Sequence, residues 1–420
     1  MVINMDAKKK KRDILPELLA AASPETLRNL LRHLAASQIE VRRECLEYLN
    51  MHVPLSSEDR KVSYGEAVLL LWYELAPDLD ELNEYGGGDY GMEDHVAGLL
   101  YEIQEKLNGK NIDSEYRQEL IDEVLPYIES SNAGLDDQLY DVAYACCYED
   151  ADWRRLAEAF ERMKGEWKIS RARVIYRKIG DREKYLALRK LKMEFGADYH
   201  DLATFYWDEG EKEKAVAVAE QGLQKGQGRM DELRAFLADR ARESGDRKRY
   251  LELQFAQTTD HLTLEKYRAF KKLCSHAEWE TFEERILKRL DDAWDSEQLK
   301  IRMHRQEYEH AITILINGRY PVHAWDSGDE LQAAKKLESH FPEEVLKFYM
   351  SGLGNLKANA VRSEYARKAK VMDRIRLLMV GVLNQEERWL DFAREVKLAN
   401  LKRPAFQEEF ATVIPEWRQI

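Results

Sequence analysis

Cysteine, proline and glycine are all scarce in this 420-residue chain, and each shortage excludes something. The four cysteines, Cys45, Cys146, Cys147 and Cys274, are too few and too scattered for a disulfide framework. Cys146 and Cys147 adjoin without a C-x-C, C-x-x-C or nearby histidine group, so they read as buried thiols. Nine prolines and 21 glycines leave little of the turn punctuation that many short strands need. Long helices need less. No run of 18 apolar residues occurs, which excludes an evident transmembrane helix. The basic run Lys8–Arg12 is not followed by an apolar stretch of signal-peptide length, so a cytoplasmic protein is expected. Catalytic signatures are missing too: there is no nucleophile elbow, phosphate loop, dinucleotide fingerprint or H-E-x-x-H. The expectation is a non-enzyme with no cofactor and no metal.

What is present is a repeated turn. Gly180-Asp181-Arg182-Glu183-Lys184-Tyr185, Gly210-Glu211-Lys212-Glu213-Lys214-Ala215 and Gly245-Asp246-Arg247-Lys248-Arg249-Tyr250 share one grammar. Each has a glycine, an acid, three further charges and then a residue that opens an apolar helical pattern. A spacing near 34 residues is the mark of helix–turn–helix solenoids. Glycine can end a helix in the left-handed conformation without a Cβ penalty, and the acid suits the start of the next helix. Related turns are expected near Asp150, His276, Gln306, Phe341 and Gln385. Tyr176, Tyr206 and Ala241, four residues before the glycines, and Tyr185, Ala215 and Tyr250, five after, read as packing positions.

Upstream, residues 14–50 read as two helices, the second opened by Ser23-Pro24-Glu25. Residues 64–76 form an apolar helical segment expected to end at Pro77, and further helices are expected at 92–107, 113–130 and 135–148. Tyr85-Gly86-Gly87-Gly88-Asp89-Tyr90-Gly91 reads as a loop. The acids and His95 around it lack the spacing of a calcium or zinc site. The expected organisation is a disordered basic N-terminus at 1–12, an N-terminal helical subdomain at 13–150 and a repeat solenoid at 151–420. The fold class is all-α.

Charge is unevenly spread. Residues 56–150 hold 24 acidic and 5 basic side chains, whereas Arg154 to Lys192 holds 14 basic and 5 acidic. That basic ridge could attract nucleic acid or an acidic partner, or face the acidic block within one molecule or across a dimer. Overall acidity argues against a dedicated nucleic-acid binder.

The stretch from Leu202 to Ala219 resembles a tetratricopeptide repeat, with Ala203, Tyr206, Gly210, Ala215 and Ala219 at that motif's spaced positions. A wider resemblance covers most of residues 14–320. The order GGGDYGMEDHVAGLL, GLDDQLYDVAYA, DWRRLAEAFERM, RVIYRKIGDREKYLALR and GRMDELRAFLADRARESGDRKRYLELQF is similar to the helical region of prokaryotic SWIM zinc-finger family proteins. There this region follows a zinc module of pattern C-x-C, then C-x-H, which this chain lacks, so zinc binding is not carried over. The resemblance implies the helical fold and an accessory role, either as a stand-alone relative or as the helical half of a split protein with the finger on another chain. In tetratricopeptide-like stacks the first helix of each unit lines a concave face. The resemblance places Arg177 and Lys178, Trp207 and Asp208, and Arg242 and Glu243 toward it. With Arg171 and Arg173 they form the candidate surface for an acidic or extended peptide of a partner protein. Nucleic-acid association through the 154–192 ridge is the alternative.

Overall fold

The computed structural model describes residues 13–88, 90–322 and 328–420. The segment expected to be a disordered basic N-terminus, 1–12, lies outside them, as does Asp89 of the glycine-rich loop. Among the described residues the chain forms 23 α-helices and one short 3-10 turn. The only pairing of extended type among them is an isolated bridge between Phe195 and Gln227. Contacts divide the chain into two compact units that meet at Met193 and Glu194, between the turns at Gly180 and Gly210.

The first unit holds α1 (Leu15–Ala21), α2 (Pro24–Ser37), α3 (Ile39–His52), α4 (Ser57–Tyr85), α5 (Tyr90–Gly109), α6 (Ser114–Ser130), α7 (Asp136–Ala145), α8 (Asp150–Arg162), α9 (Glu166–Lys178) and α10 (Arg182–Leu191). Ser23 caps α2 by accepting from the Thr26 N–H, with Pro24 in the first turn. Three helices stand where two were expected over 14–50, because the chain breaks again at Gln38 in an extended conformation. The expected stop at Pro77 is overturned: α4 runs through it for 29 residues. Proline inside a helix costs about 3 kcal/mol. Leu75, Leu79 and Leu82 on either side are fully buried with Trp72 and Leu71, and each such side chain contributes about 1.5–3 kcal/mol. Burial outweighs the lost hydrogen bond.

The second unit holds α11 (Gly196–Asp208), α12 (Lys212–Lys225), α13 (Asp231–Glu243), α14 (Arg247–Asp260), α15 (Leu264–Leu273), α16 (His276–Leu287), α17 (Asp295–His304), α18 (Tyr308–Asn317), α19 (Asp329–Leu337), α20 (Pro342–Ser351), α21 (Arg362–Gly381), α22 (Glu386–Ala399) and α23 (Pro404–Val413). Here the first helices of successive hairpins touch one another (α11 with α13, α15 with α17, α17 with α19), and so do second helices (α14 with α16, α18 with α20). This is the connectivity of a helical-repeat solenoid. A ladder of ion pairs joins the second helices: Arg249 reaches Glu220 at 2.6 Å, and Arg285 forks onto Glu252 at 2.8 and 2.9 Å.

The glycine turns take one geometry. Gly180, Gly210 and Gly245 have φ of 70°, 81° and 77°. In each turn the next residue's N–H returns to the carbonyl five positions back: Asp181 to Tyr176 (2.9 Å), Glu211 to Tyr206 (2.8 Å) and Asp246 to Ala241 (2.8 Å). Gln306 is left-handed as well, at φ 61°, and the Glu307 N–H bonds the Arg302 carbonyl at 3.0 Å in the same way. A fourth copy of the turn thus exists without its glycine. Tyr176, Tyr185, Tyr206, Ala215 and Ala241 are buried, as packing positions should be, and Tyr250 is half-buried.

Candidate partner-binding surfaces

In the first unit, α9 carries four of the candidate residues. Arg171 lies flat over the Tyr140 ring at 3.9 Å, donates to the Tyr144 hydroxyl at 3.1 Å and approaches Asp137 at 3.9 Å. Arg173 donates to Ser170 at 3.0 Å. The Arg177 guanidinium sits 5.9 Å from the Tyr185 ring, and the Lys178 ammonium sits 3.3 Å over Trp153. Arg171, Arg177 and Lys178 are therefore engaged on the aromatic faces of α7, α8 and α10. Cation–π contacts of this kind hold long side chains in place.

The wider basic ridge is partly paired in the same unit. Arg155 pairs with Asp122 at 2.7 Å, and Lys168 donates to the Glu129 carbonyl at 2.7 Å. Within the ridge, Arg154 pairs with Asp181, Lys184 with Glu161 at 2.9 Å and Lys192 with Glu166 at 2.8 Å. Part of the ridge thus faces the acidic block of its own unit.

The second unit carries the other four. Trp207, half-buried at the end of α11, meets Phe236 of α13 edge-on at 5.7 Å. The Arg240 guanidinium covers the indole at 4.1 Å, and Lys212 approaches it at 5.1 Å. Arg240 is held in turn by Glu243 at 2.9 Å. Asp208 is exposed. Arg242 is also exposed and pairs within its own helix with Asp239 at 2.9 Å. The structure brings Trp207 and Glu243 together through Arg240, while Arg242 lies apart from that cluster in its contacts.

Counting back from the glycines missed Arg240. It stands five residues before Gly245, where the other units have Ile175 and Phe205, both buried. A charge at an apolar position of the repeat was the available signal.

A second feature lies further along the same row of first helices. A cavity of about 520 Å³ opens between α15, α17 and α19, lined by Leu264, Met303 and Ala333 and by Arg268, His304 and Lys336 among others. The Arg268 guanidinium donates to His304 Nδ1 at 3.1 Å. Burial, with Arg268 and Lys271 nearby, holds the His304 imidazole below its ordinary value. Lys300 at the same edge is engaged by Glu297 at 2.8 Å and Asp329 at 3.0 Å. Among the described residues neither Arg268 nor Lys336 meets a carboxylate within ion-pair distance. His304 and Met303 stand two and three residues before Gln306, the positions that Asp208 and Trp207 hold before Gly210. The turn near Gln306 was expected from the sequence, but candidate residues were counted back only from the three glycines.

The vicinal thiols have no comparable setting. Cys146 and Cys147 are buried and free. Burial pushes the Cys147 thiol up to about 12 and the Cys146 thiol well above its ordinary value.

No protein-family model matches the chain, and no curated protein does. One solved structure, a circular tandem repeat protein with novel repeat topology and enhanced subunit contact surfaces, aligns over 96% of this chain and 95% of its own. The identity is 15% and the TM-score 0.19, too low to carry an argument. The helical-repeat reading rests on the helices, turns and contacts above. Among the described residues no helix is long and apolar enough to cross a membrane.

Proposed function

We propose that this chain is a non-catalytic scaffold that binds an acidic, extended peptide of a partner protein along the first helices of its second unit. The observation that carries the reading is the cavity between α15, α17 and α19, where Arg268 and Lys336 stand beside Leu264, Leu299, Met303 and Ala333, while Lys300 takes up the Asp329 carboxylate at its edge. A peptide alternating carboxylates with aliphatic side chains would satisfy both. Hydrogen bonds between ions are stronger than neutral ones, and apolar burial adds the remainder. The Trp207–Arg240 platform offers an anchor of the residue types that dominate interface energetics. The resemblance to the helical region of SWIM zinc-finger proteins suggests an accessory role beside a finger-bearing chain. The nucleic-acid reading of residues 154–192 finds less support, because Arg154, Arg155, Lys184 and Lys192 pair with carboxylates within their own unit.

Fluorescence anisotropy with a labelled peptide of alternating Glu and Leu tests the proposal, with a Lys-Leu peptide as control. The acidic peptide binds and the basic one does not. The R268E/K336E variant loses at least about tenfold in affinity, the equivalent of one charge-assisted contact. Equal binding of both peptides, or full affinity in that variant, overturns the reading.

A further inference from the structure

A cavity of about 230 Å³ opens in the first unit between α3, α4 and α5. Tyr64, Ala67, Val68 and Ile112 give it apolar walls, and the exposed Met51 and Lys110 mark its open side. Asn50, in the last turn of α3, lines it as well. Both polar atoms of the Asn50 amide are enclosed, and neither has a hydrogen-bond partner. An enclosed amide left unbonded destabilises a fold. A leucine would serve the empty protein better, so the amide calls for a partner that the chain does not supply.

The charged groups around the cavity are already engaged. Lys106 is taken by Glu47 at 2.8 Å and by Glu102 at 3.1 Å, and Glu47 also meets Arg43 at 3.5 Å. Lys110 lies over the Tyr64 ring, 5.3 Å from its centre. Charge therefore does not select the ligand, and the amide does. An amide offers a donor and an acceptor side by side in one plane. Its complement is a group with the same edge, whose N–H donates to Oδ1 while its carbonyl accepts from Nδ2. The same two-bond pairing lets asparagine read adenine. Primary and cyclic amides carry that edge. A trans secondary amide, the peptide bond included, points its N–H and C=O in opposite directions and cannot pair this way. No bond holds the Asn50 amide in its present orientation, and χ2 of asparagine is a soft torsion, so the edge can turn onto a ligand. Tyr64 and the aliphatic walls favour a flat apolar body behind it.

We infer that this cavity binds a small planar molecule bearing a primary or cyclic amide, paired edge to edge with Asn50. The site is independent of the peptide groove, which lies in the second unit.

Saturation-transfer NMR on the full chain tests it, with benzamide and 2-pyridone as probes and N-methylbenzamide and toluene as controls. At least one of the two amides binds with a Kd of about 1 mM or tighter, the range open to so small a ligand. Both controls bind at least about tenfold more weakly, because they cannot make the paired bonds to Asn50. Transfer to benzamide alone assigns a primary amide, and transfer to 2-pyridone alone a cyclic one. The N50L variant loses the preference for amide over toluene. The control comparison needs only the unmodified chain, so it decides the matter even if N50L does not fold. The inference fails if neither amide shows transfer up to about 10 mM, as when ordered water alone meets the Asn50 amide. It also fails if either control binds as tightly as the amides, or if folded N50L keeps the preference.

Discussion

Arg117 of α6 and Asp152 of α8 form a buried ion pair that ties these two helices together within the first unit. Their side chains are only 6% and 7% exposed. Arg117 also donates to the Ile112 and Cys146 carbonyls at 3.2 and 2.7 Å and lies 4.1 Å over the Tyr148 ring. The Asp152 carboxylate accepts from the Tyr148 and Glu149 N–H groups at 3.0 and 3.2 Å, closing the start of α8. Removing one partner leaves an uncompensated buried charge, which costs about 3–5 kcal/mol. Asp152→Ala should lower the urea midpoint of the first unit accordingly. The D152A/R117M double variant should recover part of the loss, as a double-mutant cycle would read.

The left-handed turns predict opposite effects at two equivalent positions. A Cβ at Gly210 meets nothing within 4 Å, so Gly210→Ala carries only the cost of holding a side chain at positive φ, about 1–2 kcal/mol. Gln306 already bears that cost at φ 61°, and Gln306→Gly should raise the unfolding free energy by up to about 1 kcal/mol. Thermal or urea unfolding of the two variants checks the signs. Destabilisation by both would mean that the Gln306 side chain has contacts beyond its turn.

These turns also mark how far the sequence could be read. Three glycine-acid segments revealed the helical repeat because a chain needing positive φ normally uses glycine, and glycine can be counted. Gln306 adopts the same conformation under tertiary restraint, so the repeat was only partly visible there and the His304–Arg268 groove went unnoticed. Pro77 misled for the same reason in reverse. A local rule ended the helix, and the burial of Leu75, Leu79 and Leu82 overrode it. Among the candidate residues, Trp207 and Glu243 came together, but only through Arg240, a side chain that no count from the turn selects. Arg171 and Lys178 were read as outward cations, and aromatic rings on neighbouring helices capture both. Nothing in a linear spacing reports which rings will be near.

The start of α16 should respond to acid. Glu278 is held at about 2, chiefly by its bond to Arg247, with the Ser275 N–H adding to it. Arg247 reaches it at 2.9 Å, and Ser275 caps the same turn. A carboxylate with a depressed folded value contributes stability that is complete above the ordinary 4.5 and lost as pH falls toward about 2. Arg247→Gln should move the Glu278 titration, followed by carboxyl-carbon NMR, back toward 4.5. An unmoved midpoint would assign the shift to the cap alone.

The four thiols should separate into two classes. Cys146 and Cys147 are buried, while Cys45 and Cys274 are half-buried. The thiolate is the reactive species, and with the Cys147 thiol pushed to about 12 by burial and by the nearby Asp152 carboxylate, about one molecule in ten thousand carries it at pH 8. Cys146 is disfavoured further by complete burial beside Cys147. Ellman's reagent on the native chain should therefore label Cys45 first and Cys274 more slowly, because burial and Glu278 raise the latter as well. Cys146 and Cys147 should react only on unfolding. In D152A, where the α6–α8 junction is loosened, both should become reactive before global unfolding. Reaction of the vicinal pair in the unmodified native chain at the rate of Cys45 would show that α7 opens on its own and that the junction does not close over it.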